Sequence, residues 1–435
     1  AQLGSGLTGI TYVLDEPTVG LHAADVARLM KMLRVLQQTN NTIVVVEHDR
    51  DVILAADHVI DLGPGAGSQG GRIVAEGRPE EIKRNPASIT GKYLARNLAI
   101  AAVNARDLQP GLHIEDASAH NLKHFAVDIP AEGIVVVTGV SGSGKSSLVY
   151  DVIQQSWERG RACGCSSIRG FERFQRVVSV LHRSQFSGSI GTPATFTGIL
   201  DRIRDLFAAT EDARRFDFRK KHFSFAEKEG RCETCRGLGR IKVSMDFLSD
   251  VHVTCEQCRG KRYREGVLAC RYHDKNIAEV LALTASEAAE FFEKHKALST
   301  QLAMLNKVGL GYLQLGQPLD TLSGGESQRL MLAAELGRPA KGKALYLFDE
   351  PATGLHFSDI EYLLNLFYQL ADQGNTLLVI EHDPQIILNA DWLIDLGPQG
   401  GDQGGYVVAQ GSLSDIMQAE DSLTGRYLKN LGRPS

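Results

Sequence analysis

The residues with the most specific chemistry in this 435-residue chain are Gly139-Val-Ser-Gly-Ser-Gly-Lys-Ser146. In the pattern G-x-x-x-x-G-K-[ST], glycines let backbone N–H groups turn inward around a phosphate. Lys145 then reaches the β and γ oxygens, and Ser146 offers a hydroxyl to Mg2+. Gly139, Ser141, Gly142, Gly144, Lys145, Ser146 and Ser147 are therefore the expected ligands of ATP and its magnesium. The β-branched run Ile134-Val-Val-Val-Thr138 ahead of the loop reads as a buried parallel strand, and Ser147-Leu-Val-Tyr-Asp-Val-Ile153 behind it as a helix. That is the context a phosphate loop requires.

Three more groups complete a hydrolytic site. Leu322-Ser-Gly-Gly-Glu-Ser-Gln-Arg329 places Ser323 and the N–H groups of Gly324 and Gly325 at a helix start, where they suit the γ-phosphate of a nucleotide held by another domain. The apolar run Ala344-Leu-Tyr-Leu-Phe-Asp-Glu350 ends in Asp349, expected in the magnesium shell, and Glu350, expected to polarise the attacking water. His382 follows the strand-like Thr376-Leu-Leu-Val-Ile380 and is expected at the γ-phosphate. In this order the motifs form the ATP-binding-cassette set.

Part of the set occurs twice. Tyr12-Val-Leu-Asp-Glu-Pro-Thr-Val-Gly-Leu-His22 recurs as Tyr346-Leu-Phe-Asp-Glu-Pro-Ala-Thr-Gly-Leu-His356, and Val46-Glu-His-Asp49 as Ile380-Glu-His-Asp383. The offset of 334 holds at Asp61-Leu-Gly-Pro64 and Asp395-Leu-Gly-Pro398, so one domain is duplicated. Glu16 and His48 are the first copy's catalytic candidates, beside Asp15. Cassettes pair head to tail, and the first copy begins here after its own phosphate loop and signature. The chain, whose Ala1 lies inside a domain, is thus expected to be a piece of a longer protein, to bind ATP weakly through Lys145 and to hydrolyse it slowly.

Lys145 and Ser323 stand 178 positions apart, further than in an ordinary cassette, which implies an insertion. Within it, Cys232-Glu-Thr-Cys235 and Cys255-Glu-Gln-Cys258 are separated by 19 residues, the C-x2-C-x15–20-C-x2-C spacing of a structural Zn2+ site. Cys163, Cys165 and Cys270 lack matching partners and read as plain thiols. From Arg214 to Arg264 there are 14 Lys and Arg against 7 Asp and Glu, interleaved with Phe216, Phe218, Phe223, Phe225, Phe247 and Tyr263. Such a patch suits the phosphate backbone of duplex DNA without base reading, although most of these aromatics are expected in the core.

The bulk composition sets outer limits. A net charge of -5 excludes a uniformly basic nucleic-acid binder and makes the local patch stand out. No run of about 18 apolar residues offers a membrane span, and an odd cysteine count alongside nucleotide motifs favours reduced thiols plus a metal site, hence a cytoplasmic protein. Alternating strand and helix patterns imply an α/β fold with a mostly parallel sheet. The expected division is residues 1–105 as the tail of the first ATPase domain, 106–150 as linker and start of the second, 151–283 as an inserted signature and zinc domain, and 284–435 as the remainder of the second.

Narrower marks resemble the UvrA family, the damage-sensing ATPases of nucleotide excision repair: Thr138 to Ser146, Pro193-Ala-Thr-Phe-Thr-Gly198, Gly230-Arg-Cys-Glu-Thr-Cys-Arg-Gly237, Gly309-Leu-Gly-Tyr312 with Leu315-Gly-Gln-Pro318, and Asp395-Leu-Gly-Pro398. The resemblance covers the end of a first cassette and a complete second one. It implies a homodimer with head-to-tail cassettes, an inserted zinc-bearing domain facing damaged duplex DNA, and a UvrB-like partner bound through the half not present. One departure stands out: where the family has Asp-Gln-Ser-Pro, an ungapped alignment gives Leu181-His-Arg-Ser184, so His182 takes the glutamine's place, with Gln185 nearby. This points to the alternative of a UvrA-like paralogue protecting against DNA-binding drugs. Other readings are a transporter motor subunit, a strand-break repair ATPase, and a chaperone-type zinc module suggested by Cys232-x-x-Cys-x-Gly-x-Gly239. These would need, respectively, a membrane partner, heptads and four knuckle repeats.

Overall fold

The computed structural model describes residues 8–64, 70–95, 106–180, 190–245, 248–337, 342–355 and 357–431. The chain divides into two compact units, Ala1–His182 with Ala340–Ser435, and Arg183–Pro339.

The first unit opens with the first copy of the repeat. Strands β1 (Thr11–Asp15) and β2 (Thr42–Val46) pair in parallel across the helix Ala23–Gln38, while β3 (Val59–Gly63) and β4 (Arg72–Gly77) form an antiparallel pair. Next come β5 (Gln109–Ala117), β6 (Phe125–Ala131), β7 (Ile134–Gly139), β8 (Ser167–Arg169) and β9 (Arg176–Val180). Of these, β6, β5 and β8 make a three-stranded antiparallel sheet. In the second unit, β10 (Arg240–Met245) and β11 (Leu248–Thr254) form a hairpin. The second copy then supplies β12 (Ala344–Asp349), β13 (Thr376–Ile380), β14 (Trp392–Gly397) and β15 (Tyr406–Gly411) to the first unit.

The main sheet has the order β15-β14-β7-β13-β12-β9 and is parallel except at β14–β15. It is the α/β, mostly parallel architecture expected from the sequence. Its centre is β7, where Ile134, Val135, Val136 and Val137 are fully buried. β-branched side chains suit a strand covered on both faces. Leu148, Val149, Val152 and Ile153, on the helical segment after β7, pack in the same core as Leu345, Leu347, Leu378 and Ile380. Every strand that carries a candidate catalytic residue in this sheet therefore neighbours another that does.

The second unit holds the hairpin, the helices Ile199–Ala208, Ile277–Ala282, Ala285–Phe291, Lys296–Lys307 and Gly324–Leu336, and an aromatic core. Phe207 lies 5.6 Å from Phe223, and Phe225 meets Tyr263 edge-on at 6.0 Å. As expected of most of the interleaved aromatics, Phe223, Phe225 and Tyr263 are buried, whereas Phe216 is exposed; Phe247 lies outside the described residues.

Candidate functional site

The phosphate loop leaves β7 at Gly139 and runs into the helix that continues through Ser147–Gln154 as a π-type segment. Gly142 and Gly144 take φ of 76° and 103°, which a side chain at either position would resist. Lys145 is buried within its own loop, its Nζ donating to the carbonyls of Gly139 and Val140 at 3.0 Å each. Burial pulls this ammonium down to about 8, against the opposing field of Glu350, Asp395, Asp25 and Asp349. Ser141, Gly142 and Ser146 are exposed, and Ser147 is partly so.

Asp349 ends β12, and Glu350 follows in a left-handed turn at φ 45°. His382 lies just past β13, with Nε2 3.8 Å from Glu350 Oε1. A residue the motif reading passed over holds this pair: buried Glu381 accepts from the N–H of Ala352 at 2.7 Å, His382 at 2.7 Å and Asp383 at 2.9 Å. Burial raises its carboxyl to about 8. The same burial, with Lys145 nearby, holds the His382 imidazole well below its usual range and therefore neutral. Among the described residues neither of its ring nitrogens has a hydrogen-bond partner.

The first copy reproduces the device. Glu16 sits at φ 43°, His48 Nε2 is 3.3 Å from Glu16 Oε1, and Glu47 accepts from the N–H of Thr18, His48 and Asp49. The two copies then cross. A Cβ on Gly20 would lie 3.1 Å from the Glu350 carboxylate, and one on Gly354 3.5 Å from that of Glu16. Beyond Gly20, His22 is buried 6.0 Å from the His382 ring, with Nε2 3.2 Å from Thr424 Oγ1. Thr424 itself donates to Asp395, so His22 carries its proton on Nε2, leaving Nδ1 to accept from Ala24 N–H. Asp25 accepts from Ser141 N–H in the phosphate loop at 3.4 Å. Glu16, His48, Glu350 and His382 share the lining of one cavity of about 130 Å3. Asp15, ending β1, matches Asp349 in the repeat.

In the second unit, Ser323 is the N-cap of Gly324–Leu336. Its hydroxyl accepts from Glu326 N–H, while Glu326 reaches back to Ser323 N–H at 2.8 Å, a reciprocal capping box. Gly324 and Gly325 form the first turn, and Tyr312 O–H fixes Glu326 at 2.6 Å.

Cys232, Cys235, Cys255 and Cys258 are all buried, and their sulfurs lie within 4.8 Å of one another. The Cys235–Cys258 separation of 3.6 Å matches the edge of a tetrahedron built on Zn–S bonds of about 2.3 Å. Four converging thiols are a soft donor set that fits Zn2+. Burial pushes the Cys258 thiol up to about 12, so its thiolate form calls for a cation beside it. Cys163, Cys165 and Cys270 are free and stand outside the cluster. Around it, part of the basic surplus is committed internally: Lys221 to Glu229 at 2.7 Å, Arg264 to Glu233 at 2.8 Å, and Arg262 over the Phe225 ring at 5.1 Å. Arg214, Arg215, Arg236, Arg259 and Lys261 are exposed.

No family model matches the chain. Among curated proteins, "UvrABC system protein A" of Aquifex aeolicus is 48% identical over 98% of this chain and 47% of its own length. That of Methanothermobacter thermautotrophicus is 48% identical over 99% and 45%. The crystal structure of UvrA2 from Deinococcus radiodurans superposes with a TM-score of 0.94 at 42% identity, covering 99% of this chain and 53% of that one. The chain belongs to the UvrA family. It spans about half the length of the curated relatives it matches. A ribosome-bound archaeal ABCE1, with a TM-score of 0.54 at 16% identity over 97% of this chain and 60% of that one, shares the ATP-binding-cassette fold alone.

Within this UvrA-family chain, the structure gathers Lys145, Asp349, Glu350 and His382 around the end of one sheet and brings Glu16 and His48 against them. The departure at His182, with Gln185, lies outside the described residues. Sequence reading missed Glu47 and Glu381, although both recur at the 334 offset inside a motif already singled out. It also missed His22, which closes the first repeated motif and recurs as His356 at the same offset. Among the described residues no helix is long and apolar enough to cross a membrane.

Proposed function

We propose that this chain is the ATP-dependent damage-recognition part of a UvrABC-type nucleotide excision repair system, binding distorted duplex DNA in the cytoplasm as a homodimer that hands the site to a UvrB-like partner. The observation that carries the reading is the match over nearly the whole chain to UvrABC system protein A, and the site chemistry supports it. Gly139, Ser141, Gly142 and Gly144 would cradle the phosphates through backbone N–H groups, with Lys145, Ser146 and Ser147 at the β and γ oxygens and the metal. Mg2+ supplies charge neutralisation of the transferred phosphoryl group. Asp349 would lie in the metal's shell. Glu350 is the base that orients the attacking water, and neutral His382 donates to the γ-phosphate. Ser323, Gly324 and Gly325 would meet a nucleotide held by the opposing cassette, and Glu16 and His48 serve the corresponding first-copy site.

Cys232, Cys235, Cys255 and Cys258 hold Zn2+, which contributes on the order of 10 kcal/mol to folding a module of this type. The exposed arginines around them suit contacts to phosphates rather than bases. The relatives at 48% identity bear the UvrABC name, which favours repair over a drug-protection paralogue. The deciding experiment is salt-titrated binding of the zinc-loaded chain to a labelled 50-base-pair duplex, with and without one bulky adduct. Tighter, salt-sensitive binding to the adducted duplex is expected. Equal affinity for both duplexes refutes the reading.

A further inference from the structure

A phosphate loop that aims successive N–H groups inward must turn carbonyls outward, and each of those needs a donor of its own. In the second cassette the donors come from two distant segments. Gly142 carbonyl accepts from Asn121 Nδ2 at 3.0 Å and from Gly401 N–H at 3.0 Å, and Ser143 carbonyl accepts from Gly405 N–H at 3.1 Å. Asn121 Nδ2 also lies 3.4 Å from Gly401 carbonyl, and Lys123 N–H donates to Gly405 carbonyl at 2.8 Å. The turn after β14 and the segment before β6 are thus tied to each other as well as to the loop. With two carbonyls facing its amide nitrogen, Asn121 has one satisfiable orientation.

The fit leaves no room for side chains. A Cβ on Gly400 would stand 2.3 Å from Ser141 carbonyl oxygen, and one on Gly405 1.9 Å from Asn121 carbonyl oxygen. The backbone of the turn is therefore in direct contact with the outer face of the phosphate loop. None of these groups belongs to the phosphate-loop, signature or catalytic motifs.

We propose that Asn121 and the turn from Gly400 to Gly405 form a positioning brace that sets nucleotide affinity at the second site by holding the phosphate-loop carbonyls outward. This rests on the reading that the loop binds ATP. The brace touches no reacting atom, so its loss acts on affinity and leaves the chemical step alone. Asn121→Asp keeps the shape, removes both N–H donors and sets a carboxylate oxygen against two carbonyls. Gly400→Ala pushes a methyl group into Ser141.

The test measures the Kd of a fluorescent ATP analogue and the kcat and KM for ATP in the 435-residue chain, with Lys145→Ala as the site reference. Circular dichroism and zinc content verify folding. Because Asn121 is partly exposed, Asn121→Asp is expected to fold even if Gly400→Ala does not. The expected result is a Kd and KM raised at least tenfold in Asn121→Asp, with kcat at saturation within about twofold of the parent chain. An unchanged Kd in folded Asn121→Asp overturns the brace while leaving the ATP reading intact, as does a fall in kcat at constant KM. A parent chain whose binding is absent, or insensitive to Lys145→Ala, overturns both.

Discussion

The two copies of the repeat share their polar wiring and differ in their burial. In the first, Asp61 accepts from Ser88 at 2.6 Å and Thr90 at 2.9 Å; in the second, Asp395 accepts from Ser422 and Thr424 at the same two distances. Asn41 and Asn375 each accept from an N–H at the start of a neighbouring strand and donate to a helix-end carbonyl, Leu36 in one and Leu370 in the other. The apolar positions diverge. Val44 is 47% exposed and its counterpart Leu378 0%; Leu62 is 67% exposed and Leu396 1%. In the second copy β7 lies between β13 and β14, whereas among the described strands β2 pairs only with β1 and β3 only with β4. These polar networks join residues no more than 31 positions apart, each set within one copy. Burial requires a partner strand and the helix behind it, and among the described residues only the second copy has them around its strands.

If hydrolysis belongs to the copy with a phosphate loop beside it, the two glutamates are not equivalent. Glu350→Gln is expected to lower ATP turnover at least 100-fold, within the range of about 10^2 to 10^4 for loss of a positioned base. Glu16→Gln should change it less than about threefold. Steady-state ATPase assays on the two variants decide the matter, and equal losses would show that the crossing at Gly20 and Gly354 makes one shared site of the two.

The burial difference predicts a second asymmetry. Leu378→Ala empties space in the closed sheet and is expected to cost about 2–5 kcal/mol, while Val44→Ala at the matching position should stay within about 0.5 kcal/mol. Urea melts of both variants measure this. A large cost at Val44 would mean that the first copy's sheet is covered by something the described residues do not show.

Legibility in the sequence followed chain distance. The loop from Gly139 to Ser146, the strands ending in Asp349 and before His382, and the four-cysteine spacing are each contiguous or nearly so, and local chemistry dictates them. The repeat offset made the duplicated fold visible because both copies kept their turn and cap residues. Residues meeting across hundreds of positions left no such trace. Asn121 reaches Gly401 over 280 residues and His22 reaches Thr424 over 402, with nothing in either neighbourhood to mark the partner. Nor did composition reveal that the signature helix Gly324–Leu336 shares a compact unit with the four cysteines, since that depends on how helices pack between residues 183 and 339.

His22 offers the finest probe of how the copies are joined, because it belongs to the first and is buried in the second. Burial, with Lys145 adding repulsion, lowers its imidazole from 6.5 to about 4. The folded chain therefore refuses a proton that the unfolded chain accepts below pH 6.5. The stability tied to neutral His22 is complete above pH 6.5 and is lost as pH falls towards 4, at up to about 1.4 kcal/mol per pH unit and about 3 kcal/mol in all. His22→Gln keeps a donor for Thr424 and removes the titration, so the stability of the variant should fall less steeply over this window. Because His382 is shifted in the same direction, part of the slope should persist. Denaturant melts at pH 7.5, 6, 5 and 4.5 give the slope for each chain. Identical slopes would mean that His22 gains its proton freely, and that the first copy's loop is not held in the second copy's site in solution.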